Sequence, residues 1–229
     1  MSSTGLGVTL AGVPLVLDPR GSVVIPDARV GFVADLHLGK STLFRRRGLA
    51  VPEGEEARDL RRLDAVIADH GLRRLVILGD LVHAAGGLAP EVVERFAAWR
   101  ARAAVGSITL VLGNHDRPLL VPSRWGLEVV EGPVGLGPVE ARHEPPASGA
   151  SHDGRLVLAG HLHPVVRLRE GGRGAGLRPR CFWWSDPVLV LPAFGGFTGG
   201  YPVRPAGRDR VFVVPPADEP DDLPVVEVG

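Results

Sequence analysis

Cysteine is almost absent: Cys181 stands alone in 229 residues. One thiol excludes an internal disulfide and a Cys-based zinc site, and fits a reducing compartment. Long apolar runs are missing as well. No stretch of eighteen apolar residues occurs, and the first twenty residues lack both a basic start and a long apolar core. Neither membrane insertion nor secretion is indicated, so a soluble, cytoplasmic protein without a membrane partner is expected. Net charge is missing too, with 26 acidic against 26 basic residues. A globally basic nucleic-acid binder is thereby excluded, and any polyanion site must be a local patch. Lysine is represented only by Lys40. With Ala, Gly and Pro abundant, that skew reflects genome composition and carries no mechanism.

What the chain does have is length. At this size roughly 70–75% of the unfolded surface can be buried, so a core needs no disulfide or structural metal. Any metal is then catalytic. No Ser/Gly/Pro linker divides the middle, and residues 1–214 read as one domain followed by a Pro- and acid-rich tail, 215–229, expected to be poorly ordered. Residues 8–17 alternate weakly and read as an opening strand with 23–25 as its partner. Residues 30–34, 75–78 and 108–112 are short apolar strands. Between them, 54–70 carries Ala57, Leu60, Leu63 and Ile67 at helical spacing, with Glu55, Glu56, Arg58, Asp59, Arg61 and Arg62 facing elsewhere. A second helix over 89–104 presents Val92, Phe96, Trp99 and Ala103. This β-α-β-α-β order predicts parallel strands whose carboxyl ends share one edge, where such sheets bind ligands.

The second half changes character. Short strands at 129–130, 139–142, 156–159, 188–191 and 211–214 are separated by Gly/Pro-rich turns, without a convincing helix. A mostly antiparallel sheet is expected there. The two sheets must cover each other, which gives an α/β, more finely α+β, class: a two-sheet β-sandwich flanked by helices in four layers. The loop 170–180, dense in Gly and Arg, matches nothing identifiable.

Chemistry sits at the strand ends. Residues 30–34 run into Asp35 and His37, 75–78 into Gly79-Asp80, and 108–112 into Gly113-Asn114-His115-Asp116. The strand at 139 precedes His143, and 156–159 precedes His161 and His163. Asp35, His37, Asp80, Asn114, His143, His161 and His163 are seven donors, more than one four- to six-coordinate ion can use. Two divalent ions about 3.5–4 Å apart, bridged by one carboxylate and one hydroxide, are expected. Four positive charges against three returned by Asp35, Asp80 and the hydroxide leave the centre electropositive. It would attract phosphate and lower the pKa of bound water, producing a nucleophile for phosphorus. Donors without thiolate suit manganese, iron or zinc better than copper.

These blocks, Asp35-x-His37, Gly79-Asp80, Gly113-Asn114-His115-Asp116, His143 and Gly160-His161-x-His163, resemble in content and order the signature of the calcineurin-like metallophosphoesterases. The resemblance implies one ion held by Asp35, His37, Asp80 and His163, and a second by Asp80, Asn114, His143 and His161, with Asp80 bridging. It implies that His115 binds no metal but contacts the scissile phosphate and protonates the leaving oxygen, with Asp116 orienting it. Asp35-Leu-His-Leu-Gly-Lys-Ser with Phe44-Arg45, Val51-Pro-Glu-Gly-Glu, His143-Glu-Pro and Leu191-Pro-Ala-Phe-Gly-Gly-Phe-Thr-Gly-Gly are similar to one branch, the bacterial ligase-associated DNA damage response endonucleases called PdeM. That branch implies manganese-dependent cleavage of DNA phosphodiesters, chiefly single-stranded, in repair, with a ligase, a helicase and an exonuclease as functional partners. Association into a homodimer is left open.

Other residues admit plainer readings. His70 and His152 read as solvated, and His83, three residues after Asp80, as either solvated or a partner of the site. Cys181, Trp183 and Trp184 read as packing, although an exposed Trp could stack on a base. Arg45, Arg46 and Arg47 form a solvated turn in the plain reading; with Lys40 and Arg117 they form a cationic rim for substrate in the functional one. The metal blocks do not specify what hangs on the phosphate, so a small phosphomonoester or nucleotide is the alternative substrate. A non-catalytic scaffold of the same fold is a third reading, but it would be expected to have lost ligands, and none is lost.

Overall fold

The computed structural model describes residues 5–119, 121–147, 153–168, 176–216 and 223–228. His152, residues 170–175 of the Gly/Arg loop and residues 217–222 and 229 of the tail lie outside these. Two seven-stranded sheets dominate. The first contains β1 (Leu6–Leu10), β2 (Val13–Asp18), β3 (Ser22–Ile25), β4 (Val30–Val33), β5 (Arg74–Leu78), β6 (Ser107–Val111) and β7 (Glu128–Val130), in that spatial order. The span 8–17 is therefore two strands and not one. Ala11 and Gly12 both take positive φ, the conformation of a tight hairpin turn, and Leu10 pairs with Val13 across it.

From β4 to β7 the sheet is parallel. The β4–β5 crossover holds α1 (Lys40–Arg46) and α2 (Glu55–Asp69), and the β5–β6 crossover holds α3 (Pro90–Arg102). Leu60, Leu63, Ile67, Phe96 and Trp99 bury against Val33, Ile77, Ile108 and Leu110 on the outer face of the sheet. The polar side of α2 is not all solvated, as periodicity alone suggests: Glu56, Asp59 and Arg62 are buried. Glu56 is taken up by Gly39 N–H, Ser41 and Arg95, Arg62 donates to Phe194 O, and Gly196 N–H donates to both carboxylate oxygens of Asp59 at 3.1 Å. His70 is likewise not merely solvated, because its Nε2 lies 2.8 Å from Asp18 Oδ2.

The second sheet runs β16 (Val226–Val228), β15 (Arg210–Val213), β12 (Cys181–Ser185), β13 (Val188–Val190), β10 (Leu156–Ala159), β9 (Val139–Ala141), β8 (Val134–Leu136). The end of the expected disordered tail is thus a paired strand, with Val226 opposite Val213. Antiparallel pairing prevails, as expected, but β9–β10 and β10–β13 are parallel. Residues 129–130 belong to β7 of the first sheet. Between the sheets lies a core of Leu17, Phe32, Val76, Leu158, Phe182, Trp184 and Phe212. On the far face of the second sheet, Val166, Cys181, Val203 and Val211 form a smaller cluster. Its cover includes the two-stranded pair β11 (Pro164–Val165) and β14 (Tyr201–Pro202). Cys181 is fully buried, and burial pushes its thiol up to about 12, in keeping with a packing role.

Candidate metal centre

Parallel pairing decides where the donors meet. The carboxyl ends of β4, β5 and β6 lie at one edge of the first sheet, and those of β9, β10 and β13 at one edge of the second. A parallel bridge between Ala34 and Ala193 joins the two edges, with Phe194 N–H on Ala34 O at 2.8 Å. Asp35 and Asp80 then leave neighbouring strands side by side. His37 N–H donates to Asp80 O at 2.9 Å and Leu38 N–H to Leu81 O at 2.8 Å, so the two loops are held together.

Asp35, His37, Asp80, His161 and His163 all adopt left-handed backbone, with φ between 48° and 69°. Such residues cost on the order of 1–3 kcal/mol each and collect at functional sites, where the surroundings over-determine them. Two glycines make room. A Cβ at Gly79 would land on the His143 ring, and one at Gly113 on the Asp80 carboxylate.

Seven side chains expected from the sequence converge, and they fall into two sets. Ligand atoms of Asp35, His37 and His163 lie within 4.8 Å of one another, as do those of Asp80, His143 and His161. His37 Nε2 and His163 Nε2 are 3.2 Å apart, and His163 Nε2 is 3.5 Å from Asp35 Oδ1. His143 Nε2 stands 3.0 Å from Asn114 Oδ1, 3.1 Å from His161 Nδ1 and 3.5 Å from Asp80 Oδ1. Asp80 also reaches the first set, its Oδ2 lying 3.9 Å from His37 Nε2.

Tautomers follow from the outer partners. His143 Nδ1–H donates to Leu78 O at 2.9 Å and His163 Nδ1–H to Gly199 O at 3.2 Å, leaving both Nε2 lone pairs turned inward. Burial, then the neighbouring His163 and Lys40, depress the His37 pKa to about 2, so its ring is neutral. For His163 burial acts downward, but the attraction of the Asp35 carboxylate, whose Oδ1 lies 3.5 Å from its Nε2, prevails and raises it. Inward lone pairs beside two buried carboxylates call for cations. The fit with divalent metal rests on Asp35: it is fully buried, and its Oδ1 has no hydrogen-bond partner although Oδ2 accepts from His161 N–H at 2.9 Å. A buried carboxylate oxygen left so is costly unless an ion meets it.

His115 approaches from the rim. Its N–H donates to Asp80 Oδ1 at 3.0 Å, its Nε2 lies 3.9 Å from Asp80 Oδ2, and its side chain is 39% exposed. Asp116 does not orient that ring directly. Its carboxylate accepts from the N–H groups of Leu81, Val82 and Gly113, and so ties the Asp80 loop to the Asn114 loop. Burial raises its pKa, those three donors acting against the shift. His83 joins the site that its place after Asp80 left open. It stacks on His115 at 5.3 Å, and its Nδ1 is 3.4 Å from His37 Nδ1, so it can accept the proton that leaves His37 Nε2 bare. His37, His83 and His115 form a third cluster of potential ligands, competing with the first for His37.

The basic rim is more dispersed. Lys40 lies over Phe197 at 5.8 Å, and burial lowers its pKa. Arg45 donates to Pro52 O and Thr42 Oγ1, and Arg46 pairs with Glu91 at 3.1 Å. Arg117 is exposed.

Two layered sheets with a dense Asp/His/Asn cluster at their joined edges define a metal-dependent phosphoesterase. Residues 28–204 match the calcineurin-like phosphoesterase family, and the chain belongs to that family. It is similar over its whole length to the nuclease MPE of Pseudomonas putida, at 35% identity and TM-score 0.78, covering 97% of this chain and 99% of that one. That likeness agrees with the ligase-associated branch which the sequence resembles. The E. coli phosphoesterase Yfce is a remote match at 21% identity and TM-score 0.43, over 87% of this chain and 97% of that one. No curated protein matches. No helix among the described residues is long and apolar enough to cross a membrane.

Proposed function

We propose that the protein is a binuclear, manganese-dependent phosphodiesterase that cleaves DNA, chiefly single-stranded, in a repair setting shared with a ligase, a helicase and an exonuclease. The observation that carries the two-ion reading is the pair of donor sets, Asp35/His37/His163 and Asp80/His143/His161, with Asp80 reaching both. The polynucleotide substrate is supported by the full-length likeness to a nuclease. Asp35, His37, Asp80 and His163 would hold one ion, and Asp80, Asn114, His143 and His161 the other; iron or zinc would fit the same donors. When bound, such ions supply Lewis acidity toward phosphoryl oxygens and acidify water.

The chain's own groups do the rest. Asp116 holds the Asp80 and Asn114 loops in register through three backbone N–H groups. His115 stands at the exposed side of Asp80, where its imidazolium can give a proton to the leaving oxygen. Lys40 lies near enough to His37 and His83 to act on both, exposed Arg117 follows Asp116 in the chain, and Arg45 and Arg46 lie further along α1; these four are the proposed contacts to substrate phosphates. The test is hydrolysis, with manganese, of single-stranded DNA, a bis-aryl phosphodiester and an aryl phosphomonoester side by side. Cleavage of DNA and the diester is expected. Turnover of the monoester alone would move the protein to small phosphomonoester or nucleotide substrates, and turnover of none would make it a scaffold.

A further inference from the structure

Next to the metal centre, along β14, runs a groove of about 760 Å³ lined by Val166, Arg167, Trp183, Tyr201, Val203 and Arg204. It begins one hydrogen bond from a candidate ligand, since Tyr201 N–H donates to His163 O at 2.9 Å. Tyr201 is 63% exposed, so the face of its ring is open to a stacking partner. Trp183 forms part of the floor. Its Nε1–H donates to Asp209 Oδ2 at 3.1 Å, and the same oxygen accepts from Ala206 N–H at 3.0 Å, so the turn beside the groove is anchored.

The charges point the same way. Arg167 and Arg204 are exposed, and neither makes an ion pair among the described residues, whereas Arg46, Arg58 and Arg102 all pair with carboxylates. Two unneutralised guanidinium groups beside an exposed ring form a local cationic and aromatic patch on a chain whose net charge is zero. Single-stranded nucleic acid is recognised by this combination, bases stacking on rings while cations follow the backbone. A groove whose Tyr201 is tied by its backbone to His163 can receive the chain on one side of the scissile bond.

We propose that this groove is the seat of the single-stranded polynucleotide, with Tyr201 stacking on a base and Arg167 and Arg204 pairing with flanking phosphates. The proposal rests on the nuclease reading and adds the residues that select a polymer over a small ester. A labelled oligothymidylate, titrated by fluorescence anisotropy in EDTA so that nothing is cut, reads the binding. Hydrolysis of bis(p-nitrophenyl) phosphate with manganese, a substrate too short to reach the groove, reads the integrity of the centre. Tyr201→Ala should weaken oligonucleotide binding about 5- to 150-fold, the range of one lost stacking contact, and Tyr201→Phe should restore it. Arg167→Ala with Arg204→Ala should flatten the logarithmic salt slope by about 1.4, two phosphates at ~0.7 each. Small-ester hydrolysis should stay within about twofold throughout. Variants that bind as tightly and with the same slope as the parent, or that lose both substrates equally, overturn the proposal while the nuclease reading stands. A parent protein that hydrolyses the small ester but neither binds nor cuts the oligonucleotide overturns both.

Discussion

His115 and Asp116 are adjacent in sequence and divide two tasks that the motif Asn-His-Asp runs together. Asp116 is fully buried and accepts from three backbone N–H groups on two loops, whereas the His115 side chain is 39% exposed and makes no comparable tie. Each buried donor left unpaired costs about 1–3 kcal/mol. Asp116→Ala is therefore expected to lose several kcal/mol in a urea titration and to lose activity with it. His115→Ala should keep its midpoint and its metal, yet lose ~10²- to 10⁴-fold in rate on DNA and far less on a nitrophenyl ester, whose leaving group needs no proton. Equal loss on both substrates would give His115 a structural or ligand role. At this scale the sequence showed the donors plainly, because Asp, His and Asn at strand ends have few other uses. It could not show that Asp116 faces backbone, since that depends on the distance between loops 35 residues apart.

Among the elements, α2 departs furthest from its periodic pattern. Asp59 and Arg62 look solvent-facing on a helical wheel, but the loop after β13 folds over them, and Arg62 donates to Asp59 at 2.8 Å and to Arg20 O and Phe194 O at 2.9 Å. Burial, against the pull of Arg62 and Gly196 N–H, raises the Asp59 pKa from 3.8 to about 6. The folded state then holds a proton between pH 3.8 and about 6 that the unfolded chain has released. This group's contribution is full below pH 3.8 and declines as pH rises to about 6, by on the order of 3 kcal/mol. Asp59→Asn should remove that decline. Unfolding free energy measured at pH steps from 4 to 7 reads it as a difference in slope, and identical slopes would refute the assignment. The hairpin at Ala11-Gly12 was harder to read, because Gly12 alone marks a turn less firmly than Asn-Gly would and Ala11 does not favour positive φ.

For the whole molecule, the β-α-β-α-β half was legible because helical and strand periodicities alternate cleanly, and its carboxyl-edge convergence followed from connection rules. The second half was legible as a mostly antiparallel sheet but not in its exceptions, since short strands between Gly/Pro turns carry no sign of a parallel pairing. Two of its pairings are parallel, and it is they that bring His143, His161 and the loop 191–200 to one edge facing Asp35 and Asp80. We propose that this edge builds two metal sites sharing Asp80. Anomalous diffraction from crystals grown with manganese tests it most directly. Two peaks about 3.5–4 Å apart are predicted, one among Asp35, His37 and His163 and the other among Asp80, His143 and His161. A single peak, or one seated among His37, His83 and His115, would contradict it.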